Sequence, residues 1–393
     1  TWGRPDMRHN IAKSHALSVH RLMGAGAVIF GKTNVPVMLA DWQSFNPVYG
    51  TTNNPWDVTR VPGGSSGGAG AALAAGLTAL ELGSDIGASI RNPAHYCGVF
   101  GHKPTFELCP IRGHNLPPNI STKDMMVIGP LARSADDLEL SLNIIGLPDE
   151  FGSRGLKVAL ARPKPAVRNL KIAVLTSAAT ADVDESVQSA VIAAAQCFAK
   201  HGAKVSDRAR PDFDLHNAHK VFIHLLRGAT SSSVTDDHFG RHLELAAKLS
   251  PRDENYVAWM VHANTMTHRQ WHAWDEARQQ IRHKWAEFFR DYDLLLCPAA
   301  ATAAFAHTQS GERWERMVTV NGKPQPATTQ MFWAGLSAMA YLPSTVAPAG
   351  FTEEGLPVGV QIVGPQFGDL ACIAAARFLE REFQPFTAPP GFA

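Results

Sequence analysis

Apolar residues recur along the chain in two alternating patterns, one helical and one extended. In "SHALSVHRLM", residues 14–23, apolar groups at 17, 19, 22 and 23 line one helical face. "GAGAVIFGKTN" follows and reads as a helix stop, a short buried strand and a turn. The unit returns in "ESVQSAVIAAAQCFAKHGAKV" at 185–205, after the strand-like "LKIAVLT" at 170–176. Residues 214–290 differ: they are rich in His, Arg, Trp and Glu, with helical spacing in "RQWHAWDEARQQIRHKWAEFFRDY". They predict several amphipathic helices packed over a sheet or a cleft. "DLLLCP" at 293–298 returns to a buried strand, and "LPSTVAPAGF" and "LPVGVQIVGP" are strand-like runs fenced by Pro and Gly. A helix, "LACIAAARFLEREF", follows them.

Helices alternating with apolar strands predict an α/β layered fold. The stretch "LARPKPAVRN" at 160–169 reads as an exposed loop, and nothing resembles a long flexible linker. Residues 1–393 therefore read as one domain. At 45% hydrophobic and 18% charged, the chain can bury a substantial core. With 36 basic and 35 acidic residues, it has no long-range field to attract nucleic acid or an anionic membrane. No apolar run reaches the ~18–20 residues of a membrane span. Five cysteines, without a CxxC pair, read as buried reduced thiols of a cytoplasmic protein rather than a disulfide framework or zinc ribbon.

The chemistry concentrates in residues 61–105, "VPGGSSGGAGAALAAGLTALELGSDIGASIRNPAHYCGVFGHKPT". Ser65 and Ser66 stand between glycine pairs, and Ser89 follows Ser65 by 24 positions in "GSDIGASIR". "AGAALAAGL" between them is a small-residue helix candidate that lets neighbouring backbone approach closely. A phosphate loop would need a Gly-Lys-Ser/Thr ending, which is missing. A dinucleotide fingerprint would need its glycines straight after a strand, where Pro62 stands. A Gly-x-Ser-x-Gly elbow is met only loosely. Either serine motif alone reads as a tight loop with capping hydroxyls.

Both serine motifs at this spacing resemble the amidase signature family, serine hydrolases with a Ser–cis-Ser–Lys triad. "RLMGAGAVIFGKTN", "YGTTNNPWD", "GPLARSADDLE", "YDLLLCP" and "GLPVGVQIVGP" resemble family segments in the expected order, across nearly the whole chain. The resemblance implies a single domain with a central twisted mixed β-sheet covered by helices on both faces. It implies that Ser89 is the nucleophile and Ser65 the bridging serine, with a cis peptide bond at Gly64–Ser65. Ser66 matches a supporting hydroxyl. Ile86, Gly87 and Ala88, with Ser89, match the backbone N–H donors of an oxyanion hole. Asp85 and Arg91 match positions that hold the loop. The family has glycine where this chain has Ala88, which tests whether the turn needs a positive φ.

Amide hydrolysis needs these parts. A serine becomes nucleophilic when its proton is removed, the nitrogen leaving group must be protonated, and the tetrahedral oxyanion needs donors. In the family a buried neutral lysine takes the proton through the bridging serine, its pKa depressed by desolvation. By register that lysine falls ahead of residue 1. Lys13 and Lys32 read as solvated or structural, so an N-terminally incomplete amidase is expected, with the 393-residue chain alone slowed by several orders of magnitude. No metal or cofactor is expected. "HRQWH" places His268 and His272 one helical turn apart, but without the glutamate of a zinc hydrolase they read as exposed helix histidines. Trp42, Phe45 and Tyr49 lie near the acyl side of the pocket in the family register, where core packing serves equally well. The expected partner is a small-molecule amide, with homodimers among the assemblies of relatives. The alternatives are the glutaminase subunit of a tRNA-dependent amidotransferase, which needs companion subunits, and a non-catalytic homologue that only binds.

Overall fold

A computed structural model of the chain describes residues 1–392, so Ala393, the end of the expected domain, lies outside the described residues. The first half runs α1 (Leu17–Gly24), β1 (Phe45–Asn46), β2 (Gly50–Thr51), α2 (Gly67–Ala74), β3 (Leu80–Asp85), α3 (Arg91–Cys97), β4 (Phe100–Lys103), β5 (Val127–Ala132) and α4 (Ala135–Ile145). Next come β6 (Lys171–Val174), α5 (Glu185–Lys200), β7 (Lys204–Ser206) and four helices in succession. These are α6 (Leu215–Thr230), α7 (Asp236–Lys248), α8 (Tyr256–Asn264) and α9 (His268–Asp291). The rest is β8 (Leu294–Pro298), β9 (Met317–Val320), β10 (Lys323–Pro326), α10 (Met331–Ala338), β11 (Ser344–Phe351), β12 (Pro357–Val363) and α11 (Asp369–Glu382).

Eight strands form one mixed sheet in the order β3-β5-β4-β11-β12-β8-β6-β7. Pairing is antiparallel from β3 to β8 and parallel where β6 joins β8 and β7. The expected α/β architecture, with a mixed sheet at its centre, is therefore present. Side chains of a strand alternate between faces. In β12, Val358, Val360 and Ile362 enter the main core with α5 and α11, while Gln361 points the other way and bonds Arg91 of α3. In β11, Val346 likewise joins a smaller core with Ala69, Leu73, Ile90 and Ala94 of α2 and the α3 region. Small residues let α2 lie close under its neighbours. A Cβ on Gly68 would come within 2.4 Å of the Asn34 backbone nitrogen, so only glycine fits.

The long helices of the 214–290 region carry their own start signals. Asp214, Thr235, Asn255 and Thr267 accept from the backbone N–H three residues on, and Thr267 with Gln270 completes a capping box. One expectation is corrected. The "AVIF" run is not a buried strand: residues 27–36 form no helix or strand, and Val28 and Phe30 are 84% and 78% exposed. Apolar residues do not hold an extended segment without a ladder to satisfy its backbone, and no described strand pairs with this one.

Candidate active site

The turn between β3 and α3 carries Ser89, and the loop entering α2 carries Ser65. The Ser66 N–H donates to the Ser89 carbonyl at 3.1 Å, tying the two loops together. Ser65 and Ser89 are 2% and 7% exposed and line one cavity of about 390 Å³ with Ser84, Asp85, Ile86 and Gly87. That volume lies within the usual range for small-molecule sites. Neither hydroxyl has a protein partner among the described residues, so no hydrogen bond joins them. The Gly64–Ser65 peptide bond is cis, as the resemblance implies. Backbone crowds this bend: a Cβ on Gly64 would come within 2.3 Å of the Asp41 carbonyl oxygen.

Asp85 and Arg91 fasten the serine turn from behind, both fully buried. Arg91 Nε and Nη2 donate to the two Asp85 oxygens at 3.0 and 2.8 Å. Its Nη1 donates to the Ala334 carbonyl at 2.9 Å, Ser337 Oγ at 3.0 Å and Gln361 Oε1 at 2.7 Å. Burial pushes the Asp85 carboxyl up, but the adjacent guanidinium outweighs it and holds the group below its ordinary value. The same carboxylate accepts from the Ala88 N–H at 2.9 Å and the Ile90 N–H at 3.0 Å. The Ala88 N–H is thereby committed, although it was expected among the oxyanion donors. Ile86, Gly87 and Ser89 are the expected donors without a protein acceptor among the described residues. Ala88 adopts φ +79°, so the turn does need the left-handed region, and alanine occupies it.

Several supports were not foreseen. Asn92 Oδ1 accepts from the Gly64 N–H at 3.1 Å, joining α3 to the bend before Ser65. Ser44 Oγ donates to the Gly63 carbonyl at 3.0 Å and accepts from the Gly67 N–H at 3.1 Å. The one sequence signal for Gln361 is a lone amide in the apolar run of β12. Of the three aromatics considered, Trp42 lines the cavity and donates from Nε1 to the Gly87 carbonyl at 2.9 Å. Phe45 and Tyr49 do not line it. His95 is a scaffold residue: its Nδ1 accepts from the Gly359 N–H at 2.8 Å and its Nε2 faces the Thr302 carbonyl at 2.9 Å. His268 and His272 are exposed at the start of α9, and no metal-ligating cluster occurs among the described residues.

The lysines divide sharply. Lys13 and Lys32 are exposed and outside the cavity. Lys123 lines it, its Nζ 2.5 Å from Ser233 Oγ, and burial lowers its pKa. Lys103 is fully buried beyond the cavity wall, its Nζ donating to the Pro104 carbonyl at 2.8 Å. Burial, then Arg91, pushes its pKa down to about 7.

Fold and site together define an α/β protein whose serine-bearing turns are fixed at the base of a cavity. The chain belongs to the amidase signature family: the family model Amidase matches residues 1–373. It is 32% identical to a glutamyl-tRNA(Gln) amidotransferase subunit from Anaeromyxobacter sp. (strain K), over 95% of this chain and 77% of the relative. The structure of the corresponding glutamyl-tRNA(Gln) amidotransferase subunit from Thermotoga maritima superposes with a TM-score of 0.80 at 25% identity, covering 99% of this chain and 82% of that one. A 6-aminohexanoate cyclic dimer hydrolase gives 0.77 at 25% identity, covering 98% and 82%. Among the described residues, no helix is long and apolar enough to cross a membrane.

Proposed function

We propose that this protein hydrolyses a carboxamide through an acyl-enzyme on Ser89. The observation that carries the reading is the shared cavity: Ser65 and Ser89 both open onto it, beside backbone donors that no described residue occupies. Ser89 Oγ attacks the amide carbon and its proton passes to Ser65. The N–H groups of Ile86, Gly87 and Ser89 face the oxygen that becomes negative. Collapse of the tetrahedral intermediate expels ammonia or an amine, which takes up a proton, and water then releases the acid. Catalytic hydrogen bonds tighten when substrate binds, so two hydroxyls not yet bonded to one another are compatible with relay. The resemblance gives the role of proton acceptor to a buried neutral lysine. Asp85 and Arg91 are positioning residues, acting through the turn they brace. Such an enzyme works in the cytoplasm without a metal.

Labelling with a fluorophosphonate, followed by peptide mapping, tests the assignment. An adduct on Ser89 that is absent from Ser89→Ala supports it. An adduct on Ser65 reverses nucleophile and relay, and no adduct on either serine overturns the reading. The names of the relatives favour one narrower reading, the glutaminase subunit of a tRNA-dependent amidotransferase. That role predicts companion subunits that co-purify with the protein.

A further inference from the structure

We propose that the substrate amide carries a carboxylate at the end remote from the bond that is cut, held by Arg227 and Arg313. The inference rests on the amidase reading and names the class of substrate for the same cavity. Besides the two serines, the cavity is lined by the charged groups Asp41, Lys123, Arg227, Glu312, Arg313 and Arg316. Asp85 also reaches it, but its carboxylate is consumed by Arg91. Four cations thus face two remaining anions. One of those, Asp41, is already paired with Arg316 at 2.6 Å. Glu312 is exposed and pairs with neither Arg227 nor Arg313 among the described residues.

The two remaining guanidiniums lack a counter-ion among the described residues. Arg227 donates from Nη2 to the Tyr256 hydroxyl, while its buried Nε has no partner. Arg313 donates from Nη1 to the Ala40 carbonyl. Neither meets a carboxylate among the described residues. They also oppose each other: burial, then the charge of Arg227, lowers the pKa of Arg313. An unpaired guanidinium withdrawn from water is costly, and a carboxylate that accepts two parallel N–H bonds is its best partner. Nearby His242 supplies no anion, and burial favours its neutral form.

This cationic end adjoins the reacting end. Leu226, next to Arg227 in α6, comes within 3.8 Å of where a Cβ on Gly87 would stand. On the other wall, Trp42 bonds the Gly87 carbonyl at 2.9 Å, and the two preceding residues hold Arg313 through the Ala40 carbonyl and Arg316 through Asp41. The arginines and the oxyanion turn are therefore joined by the same short segments. A small amide with an anionic tail can reach both.

The test measures binding by calorimetry to the chain carrying Ser89→Ala, so that no turnover intrudes. The probes are 5-amino-5-oxopentanoate and its uncharged analogue pentanamide. The acid is expected to bind at least about tenfold tighter, with a preference that shrinks as salt rises. Arg227→Met and Arg313→Met, made separately so that one misfolded variant does not decide the result, are each expected to bring the two affinities within about twofold. Equal or weaker binding of the acid, binding of neither probe, or a preference that survives both substitutions overturns the proposal. Labelling of Ser89 in the unsubstituted chain is read separately, so the amidase reading stands or falls on its own.

Discussion

Residues 61–74 and 87–105 are buried without a break, whereas α7, which lies over the same cavity, buries no residue at all. In and beside the first region, Asp85 and the Asn92 oxygen hold the serine turns through protein partners. Asp85 takes the Arg91 fork and the turn's own N–H groups, and Asn92 takes the Gly64 N–H. In the second, Phe239 and Leu243 stand 38% and 49% exposed, and His238 reaches the cavity from an exposed position. The floor is thus a buried, hydrogen-bonded template for reacting atoms, and the cover is a wall that faces water. A wall facing water tolerates exchange because few contacts depend on it. A buried polar network does not, since each missing partner leaves a desolvated group behind.

Substitutions can break or sharpen this contrast. The largest effect is expected from Asp85→Asn, which leaves Arg91 buried without its counter-charge. A stability loss of about 3–5 kcal/mol in chemical denaturation is expected, and a loss under 1 kcal/mol would show that the floor is not a template held by this pair. Lys103→Met comes next and is read through pH. The folded chain holds Lys103 at a pKa of about 7, below the ordinary 10.5, so unfolding takes up a proton between these values. The native chain should therefore gain stability as pH rises from about 7 to 10, by up to about 1.4 kcal/mol per pH unit. That gain is lost on acidification through the same window. Thermal melts of Lys103→Met should lack it, and matching profiles for the two chains would remove Lys103 from the account.

Ala88→Gly should give a smaller change of opposite sign. The left-handed turn strains alanine by about 1–2 kcal/mol, partly offset by the greater freedom of glycine in the unfolded chain. A net gain of up to about 1 kcal/mol is expected, and a loss would mean that the buried methyl packs more than the turn strains. The smallest effect belongs to the cover. Arg241→Gln, at a side chain of α7 that is 65% exposed, should shift stability by no more than about 0.5 kcal/mol, and a larger loss would show that α7 is held as firmly as the floor.

The helices at 17–24 and 215–291 were legible because apolar spacing is a local signal. The same holds for the alternation behind the mixed sheet. Ser65, Ser66 and Ser89 stood out because glycines mark places where backbone must bend or approach closely. The short strand expected within "GAGAVIFGKTN" failed because a strand is a pairing, and apolar residues do not announce their partner. Gln361, Asn92 and Ser44 were not foreseen, since each acts on backbone or side chains distant in sequence.

By itself, the sequence determined that helices would alternate with buried strands and that two glycine-flanked serine motifs would carry the chemistry. Only the tertiary structure decided that Ala88 lends its N–H to Asp85 rather than to the cavity. It alone gathered Lys123, Arg227 and Arg313 around one cavity. Local propensity acts between near neighbours, while the field inside a cavity is set by charges that the fold brings together from distant parts of the chain.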